Sequence, residues 1–420
     1  MRIAPKTAHE PVPPLEMETE KALAGMRVLD FTQMKFGPFA TQILGDVGAD
    51  IIKVEKPSGE WERGLTYQGT LVGDVSPFFL AMNRNKRSIA LDLKAPGGAE
   101  TARRLAQTCD VVVSNFRPGV MDRLGMGYEA LSQLKPDIIV VEGSGWGFAG
   151  PYVDRPGQDL LVQAVAGVAA STGMADLPPI PTALSIADTF GALYMAIAIL
   201  VAYAYRMRTG QGQLVRLNLL DSLIAVQCEE AVAWLNLGGL VERPQGVPGA
   251  PWHGAPFGVY RLRDGYLAVA MNDLGVLARI LDVPELAAYR EGGRAFSERA
   301  AATALIQGRL AECDLSMLDI LLADDVWAAK VNTLPEALTD PQVAASGMIF
   351  EVEDPRYGTM ALIGQPIRFA RSPAVCDRLA PSIGQQSVEI LTESGFSEEE
   401  IAALQQTGTI VDGGRPAARG

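Results

Sequence analysis

From residue 25 onward the apolar positions come in short blocks separated by polar, glycine-bearing turns. Residues 27–31 (RVLDF), 50–54 (DIIKV), 88–93, 110–115 (DVVVSN), 137–142 (DIIVVE) and 214–219 are apolar-centred runs of five or six residues. Such runs mark strands that are covered on both faces. Between them, residues 38–44, 97–106 and 121–134 carry helical spacing, and Pro38 stands where a first helical turn tolerates proline. Strands alternating with helices predict an α/β domain on a mainly parallel sheet. Residues 160–170, 188–206 and 221–235 read as further helices, and the turn Thr209-Gly-Gln-Gly-Gln213 leads into the strand at 214–219. The Gly- and Pro-rich stretch 238–258 (GGLVERPQGVPGAPWHGAPFG) predicts a domain boundary or mobile loop. A hairpin is expected over 259–271 around Asp264-Gly265, with helices to about residue 330. The expected layout is an arm (1–24), a large domain (25–224), a linker and small domain (225–331), and a segment (332–420) returning to the large domain through a β-like stretch at 348–367.

Composition narrows the function. With 48% hydrophobic residues in 420, the chain can bury a large core in two or three domains. A net charge of −13 argues against nucleic acid or an anionic membrane as partner, yet leaves room for a local basic site. The longest apolar run, 191–205, is too short to span a bilayer and reads as a buried core helix. Residues 1–20 are polar and Pro-rich with no apolar core, which predicts a loose arm rather than a signal peptide. Cys109, Cys228, Cys313 and Cys376 lie far apart, so reduced thiols in a cytoplasmic protein are expected. The histidines, His9 and His253, are too few for a His-based metal site and leave a Ser-His-Asp triad dependent on His253.

Gly145-Trp-Gly-Phe-Ala-Gly150 fits G-x-G-x-x-G after a strand, but Pro151 and Asp154-Arg-Pro-Gly157 continue it as turns. A dinucleotide site needs a helix there, so that reading is set aside. Basic residues recur near strand ends: Lys53 and Lys56, then Arg84, Lys86 and Arg87, then Arg117 and Arg123. Any one of them is ordinarily a solvated surface charge. Together, at the ends where α/β sheets bind ligands, they suit a ligand with several phosphates, with Phe116 offering an apolar face to a base. Asp188 is a lone carboxylate ahead of a strongly apolar stretch. In isolation it is most simply a helix cap; at a helix mouth it also suits a partly desolvated nucleophile.

Several segments together carry a resemblance. Gly37-Pro38, 48–57 (GADIIKVEKP), 85–88 (NKRS), 109–119 (CDVVVSNFRPG), 123–125, 157–159 (GQD), Ala187-Asp188, the turn 209–213, Asn332-Thr333 and 340–343 (DPQV) run in order over about residues 25–369. The chain resembles the class III CoA-transferases, the CaiB/BaiF family, which includes formyl-CoA transferase, carnitine CoA-transferase and α-methylacyl-CoA racemase. The resemblance implies a Rossmann-like large domain with a parallel sheet, a smaller α+β domain and an interlocked-ring homodimer. It implies an acyl-CoA donor, a carboxylic acid acceptor and no metal or redox cofactor. It matches Asp188 to the catalytic aspartate, and Lys56, Lys86, Asn115, Phe116 and Arg123 to CoA-contacting positions. The stretch 238–258 lies where some members carry a flexible glycine loop.

Two departures guide the choice among members. Gln158 occupies the place of the racemase histidine, and an amide cannot accept and return a proton near neutral pH; only His253 is left as a substitute base. Lys35 stands where formyl-CoA transferase has glutamine beside the reacting carboxylate. A lysine there suits the free end of a dicarboxylate, and equally a CoA phosphate or a local acid. The expected activity is CoA transfer to a small acid, with racemisation or a non-catalytic subunit as alternatives.

Overall fold

Six of the apolar blocks lie side by side. In the computed structural model, which describes residues 21–239 and 242–413, they form β1 (Arg27–Asp30), β2 (Asp50–Glu55), β3 (Lys86–Leu91), β4 (Val111–Ser114), β5 (Ile139–Ser144) and β6 (Gln213–Asn218). Residues 1–20 of the expected arm and residues 240–241 of the Gly- and Pro-rich stretch lie outside the described residues. Neighbours in the sheet β3-β2-β1-β4-β5-β6 are all parallel. At its centre Leu29 lies opposite Ile52 on one side and Val112 on the other, and all three are fully buried. The mixed α/β fold with a largely parallel sheet is therefore the one the strand and helix patterns predict.

The strand order is that of doubly wound folds. The chain places β2 and β3 on one side of β1, then returns to lay β4 on the other. The reversal between β1 and β4 is the place where loops diverge and leave a crevice above the strand ends.

β3 begins earlier than its apolar residues suggest: the strand is Lys86–Leu91, not 88–93. Lys86 and Arg87 belong inside it because each finds a carboxylate partner, Asp30 for Lys86 and Asp50 for Arg87. The C-terminal residues return to the same sheet. Strand β12 (Ile410–Val411) pairs antiparallel with β3, and Ile390, Leu391 and Ile401 of helices Ser387–Glu393 and Glu398–Gln406 join the core beneath it. The two-stranded hairpin β10 (Ile349–Asp354) and β11 (Gly358–Ile363) belongs to this unit as well, which comprises described residues 21–155, 191–218 and 347–413.

A second unit comprises residues 156–190 and 219–346. Its sheet is β7 (Gly258–Arg261), β8 (Tyr266–Val269) and β9 (Ala328–Lys330), all antiparallel. Helices Leu274–Leu281 and Arg299–Leu310 bring Leu277 and Ile306 against Tyr260 and Leu267 in one buried cluster. Val247 and Ala255 are part of that cluster, so the described portion of 238–258 is built into this unit and does not separate two bodies. The expected helix 221–235 is two helices, Leu219–Val226 and Cys228–Leu237. They break at Gln227, whose Nε2 donates to Leu223 O at 3.0 Å and Ala166 O at 3.1 Å.

Helix Ile186–Thr209 corrects the reading of 191–205. At 24 residues it is long and apolar enough, by length and composition, to cross a membrane. Nor is it buried all round. Ala192, Met195, Ile199 and Ala202 are covered, whereas Leu193, Ile197 and Val201 on the other side are exposed. The spacing of 3.6 residues per turn divides an all-apolar helix between two faces, and only one of them meets the core.

Two glycines end this helix and start β6. Gly210 has φ +71°, the left-handed conformation that closes helices. A Cβ on Gly212 would stand 2.0 Å from the Ile138 carbonyl oxygen, inside the contact that brings β6 beside β5. We expect Gly210→Ala to cost about 1–2 kcal/mol, from left-handed strain alone. Gly212→Ala should cost more, roughly 2–4 kcal/mol, because backbone must move. Urea unfolding of the two variants checks the order.

Candidate active site

Two loops, 31–35 after β1 and 115–119 after β4, leave the sheet at its reversal point, where such folds place a crevice. They are held together by one side chain. Asn115 Oδ1 accepts from Gln33 N at 2.8 Å, and Asn115 Nδ2 donates to Gln33 O at 2.8 Å. Its amide thus closes a two-way clasp across the crevice. Asn115, matched by the resemblance to a CoA-contacting position, uses both ends of its amide to fix the loop that carries Lys35.

The rest of that loop is fixed from below. Asp30, at the tip of β1, accepts from Thr32 N at 2.8 Å and from Thr41 Oγ1 at 2.6 Å. Lys86 Nζ reaches Asp30 Oδ2 at 3.1 Å and donates to Pro38 O at 3.0 Å. Lys53 Nζ donates to Thr32 O at 3.0 Å and pairs with Glu60 at 2.8 Å. Burial alone opposes a charged Asp30, but Lys86 and Lys53 outweigh it and hold the carboxyl below its ordinary range. Gly37 has no room for a side chain: a Cβ would stand 2.2 Å from the Thr32 side chain. Helix Phe36–Asp46 therefore starts close against the loop, with Lys35 at its N-terminal cap position and half-buried.

Lys86, matched by the resemblance to a CoA-contacting position, is fully buried. Its ammonium is committed to Asp30 and Pro38, inside the sheet rather than at its rim. Lys56, by contrast, follows β2 and is exposed, and Phe116 follows β4 half-buried with its ring against the core. Arg123 is exposed, and its guanidinium lies over Gly119, where a Cβ would come within 3.3 Å of Nη1. Lys56, Phe116 and Arg123 thus sit on or just beyond the C-terminal ends of parallel strands, on the edge where such sheets take ligands. The Gly145–Gly150 loop opens no helix; the chain continues in turns until Asp159, and the dinucleotide reading fails as expected.

Asp188 and Gln158 belong to the second unit. Asp188 is half-buried in the first turn of helix Ile186–Thr209, two residues inside it, so it is not the residue that caps the helix. Its N–H donates to Asp159 Oδ1 at 3.1 Å. Asp159 is buried and is itself held by Gln163, whose Nε2 donates to Asp159 Oδ2 at 2.7 Å. Gln163 Oε1 in turn accepts from Thr182 N at 2.9 Å. A chain of hydrogen bonds therefore runs from the 182–184 turn through Gln163 and Asp159 to the backbone of Asp188. Asp159 and Gln163 were not singled out in the sequence; the GQD motif contained the first without indicating its role. Gln158 is exposed, and its Oε1 caps helix Asp159–Val165 by accepting from Leu160 N at 3.1 Å. His253 stacks its ring on Phe257, with centroids 4.5 Å apart.

Comparison with known proteins decides the family. The sequence pattern that describes CoA-transferase family III matches residues 23–387. The chain belongs to CoA-transferase family III. It is similar to the human (Homo sapiens) succinyl-CoA:glutarate CoA-transferase, 31% identical over 408 residues that cover 95% of this chain and 92% of that protein. It is also similar to the succinyl-CoA--D-citramalate CoA-transferase of Chloroflexus aurantiacus, 32% identical with 92% and 97% covered. The formyl-CoA:oxalate CoA-transferase of Rhodopseudomonas palustris (strain BisA53) is 31% identical with 93% and 97% covered. Among solved structures, a CaiB/BaiF family protein from Brucella suis has a TM-score of 0.76 at 31% identity, covering 89% of this chain and 100% of its own. Rv3272 from M. tuberculosis has a TM-score of 0.78 at 30% identity, with 88% and 99% covered. The chain is an enzyme of the CoA-transferase class, as the resemblance implied.

Burial brings the Lys86 ammonium down to about 8 from its usual 10.5, even against the opposing pull of Asp30. Between those two values the unfolded chain binds this proton more tightly than the folded one, so stability should rise with pH across the window. Urea unfolding of the native protein and of Lys86→Met checks this: the difference should shift in favour of the native chain between about pH 8 and 10. A difference independent of pH would show that Lys86 titrates as an exposed lysine does.

Proposed function

We propose that the protein moves CoA from an acyl-CoA thioester to a small dicarboxylic acid through covalent intermediates on Asp188. The observation that carries this reading is the setting of Asp188. It is a half-buried carboxylate in the first turn of a long helix, with its backbone anchored by the buried Asp159–Gln163 chain. A helix start offers N–H groups and a positive dipole end, which favour both an ionised carboxylate and the oxyanions formed beside it.

The steps balance without a metal or redox group. An Asp188 oxygen attacks the thioester carbonyl carbon; the C–S bond breaks, giving a mixed anhydride and CoA thiolate. The thiolate attacks the aspartyl carbonyl, and the donor acid leaves as carboxylate. The acceptor carboxylate then attacks the aspartyl-CoA thioester and frees the thiolate again. The thiolate takes the acceptor acyl group from the second anhydride, and Asp188 is restored. Covalent catalysis here divides one difficult exchange into easier ones.

CoA is proposed to lie along the strand ends, with Lys56 and Arg123 toward its phosphates and Phe116 toward its base. Lys86 and Asn115 support this site by fixing its loops. Lys35 is proposed to meet the far carboxylate of the acceptor, in keeping with relatives named for glutarate, citramalate and oxalate. Gln158, engaged as a helix cap, supports transfer over racemisation, since it offers no base. The exposed face Leu193, Ile197 and Val201 supports a homodimer, because a monomer seldom leaves such a stripe in water.

Intact-protein mass spectrometry after mixing with a panel of acyl-CoA thioesters tests the route. An adduct of CoA mass on the native chain, removable by hydroxylamine and missing from Asp188→Ala, is expected. Its absence with every thioester, together with α-proton exchange into deuterated water, would point to racemisation. Lys35→Met should raise the acceptor KM roughly tenfold, about the contribution of one charge-assisted contact, while the donor KM changes less than twofold. Equal changes in both would remove Lys35 from acceptor recognition.

A further inference from the structure

Met34 has φ +63°, a left-handed conformation that a non-glycine residue holds only when its surroundings enforce it. It directly precedes Lys35. The Thr32 and Gln33 positions before it are fixed by Asp30 and Lys53, from the adjacent strands β1 and β2, and by Asn115 from the loop after β4. Met34 itself is held from elsewhere. Its N–H donates to Glu62 Oε1 at 2.9 Å, and Glu62 lies in the single turn Trp61–Gly64 with no exposed surface.

A carboxylate buried to that extent needs compensation. Among the described residues Glu62 Oε2 meets no nitrogen donor, and it lies against the carboxyl of Glu60, also buried. Two carboxyl groups in one dry space cannot both ionise. Burial holds Glu60 well above its ordinary range, while the Glu60 hydrogen bond, Lys53 and the Met34 N–H keep Glu62 below its own. The lowered Glu62 carboxyl favours a charged acceptor at the Met34 N–H. The turn that carries both is tied down by Arg63, which grips Glu55 at 2.8 and 2.6 Å and donates to Pro381 O at 3.1 Å.

We propose that Glu62 is a positioning residue that holds Met34 in its left-handed conformation and so sets where Lys35 presents its ammonium. Selection of the acceptor acid then depends on a buried carboxyl pair that touches no substrate. The proposal rests on the acceptor-binding role of Lys35 given above.

The test uses the full chain with Glu62→Leu, Glu62→Asp and Glu62→Gln. Leucine removes the acceptor, aspartate keeps the charge but is one carbon too short to reach Met34, and glutamine restores an acceptor of the right length. Amide hydrogen exchange over residues 32–36 is read first. It should speed up about tenfold or more at Met34 in Glu62→Asp and Glu62→Leu, as for loss of one charge-assisted hydrogen bond, and stay within threefold of native in Glu62→Gln. Steady-state kinetics are read second. The acceptor KM should rise about tenfold in the short and apolar variants with the donor KM unchanged, and glutamine should rescue it. Unchanged exchange in Glu62→Asp overturns the clamp, and should Glu62→Leu not fold, Glu62→Asp still decides. Faster exchange with equal KM changes for donor and acceptor overturns the link to Lys35. If the native protein transfers no CoA, the proposed function fails, while the exchange measurement still decides whether Glu62 holds Met34.

Discussion

One buried carboxylate organises the ligand-facing edge of the sheet. Asp30 ends β1, the strand between the two directions of winding, and it has no exposed surface. It draws Lys86 in from β3 and lies beside Lys53 of β2, while Thr32 and Thr41 bring the following loop and helix against it. Removing any one partner leaves a charge stranded in a dry interior, which is costlier than the pair itself is stabilising. The cluster therefore fixes geometry more than it adds stability. Three strands, the first helix and the Lys35 loop are located relative to a single side chain.

This cluster also accounts for the limits of reading the chain from its sequence. Runs such as DIIKV and VVVS declare strands because both faces of the sheet are covered, and the alternation with helices declares the parallel sheet. Lys53 inside the first of those runs was a visible anomaly, but its partners are 7 residues ahead at Glu60 and 23 behind at Asp30. NKRS reads as a wet loop because nothing local reveals that Asp30 and Asp50 await its lysine and arginine. The basic residues thus divide into two groups that composition cannot separate: Lys86 holds the fold, whereas Lys56 and Arg123 remain at the surface.

The site itself was partly legible for a similar reason. Asp188, Asn115 and the GQD motif stood out, and the structure places Asp159 and Asn115 on backbone N–H groups. What sequence could not convey is that these polar side chains bond to main chain. A backbone partner has no identity in the sequence, so an asparagine that clasps Gln33 looks the same as one that clasps a cofactor. The break at Gln227 is the same effect in a helix: a side chain takes two carbonyls, one of them from a distant residue, and divides a continuous apolar pattern.

The two-faced helix Ile186–Thr209 has a consequence for how the chain behaves in water. A solitary copy carries a strip of Leu193, Ile197 and Val201 that water does not favour, continued by exposed Met207. Such a strip adheres to other oily surfaces with little regard for shape. How long a newly made chain stays dispersed then depends on how concentrated it is as well as on how well it folds.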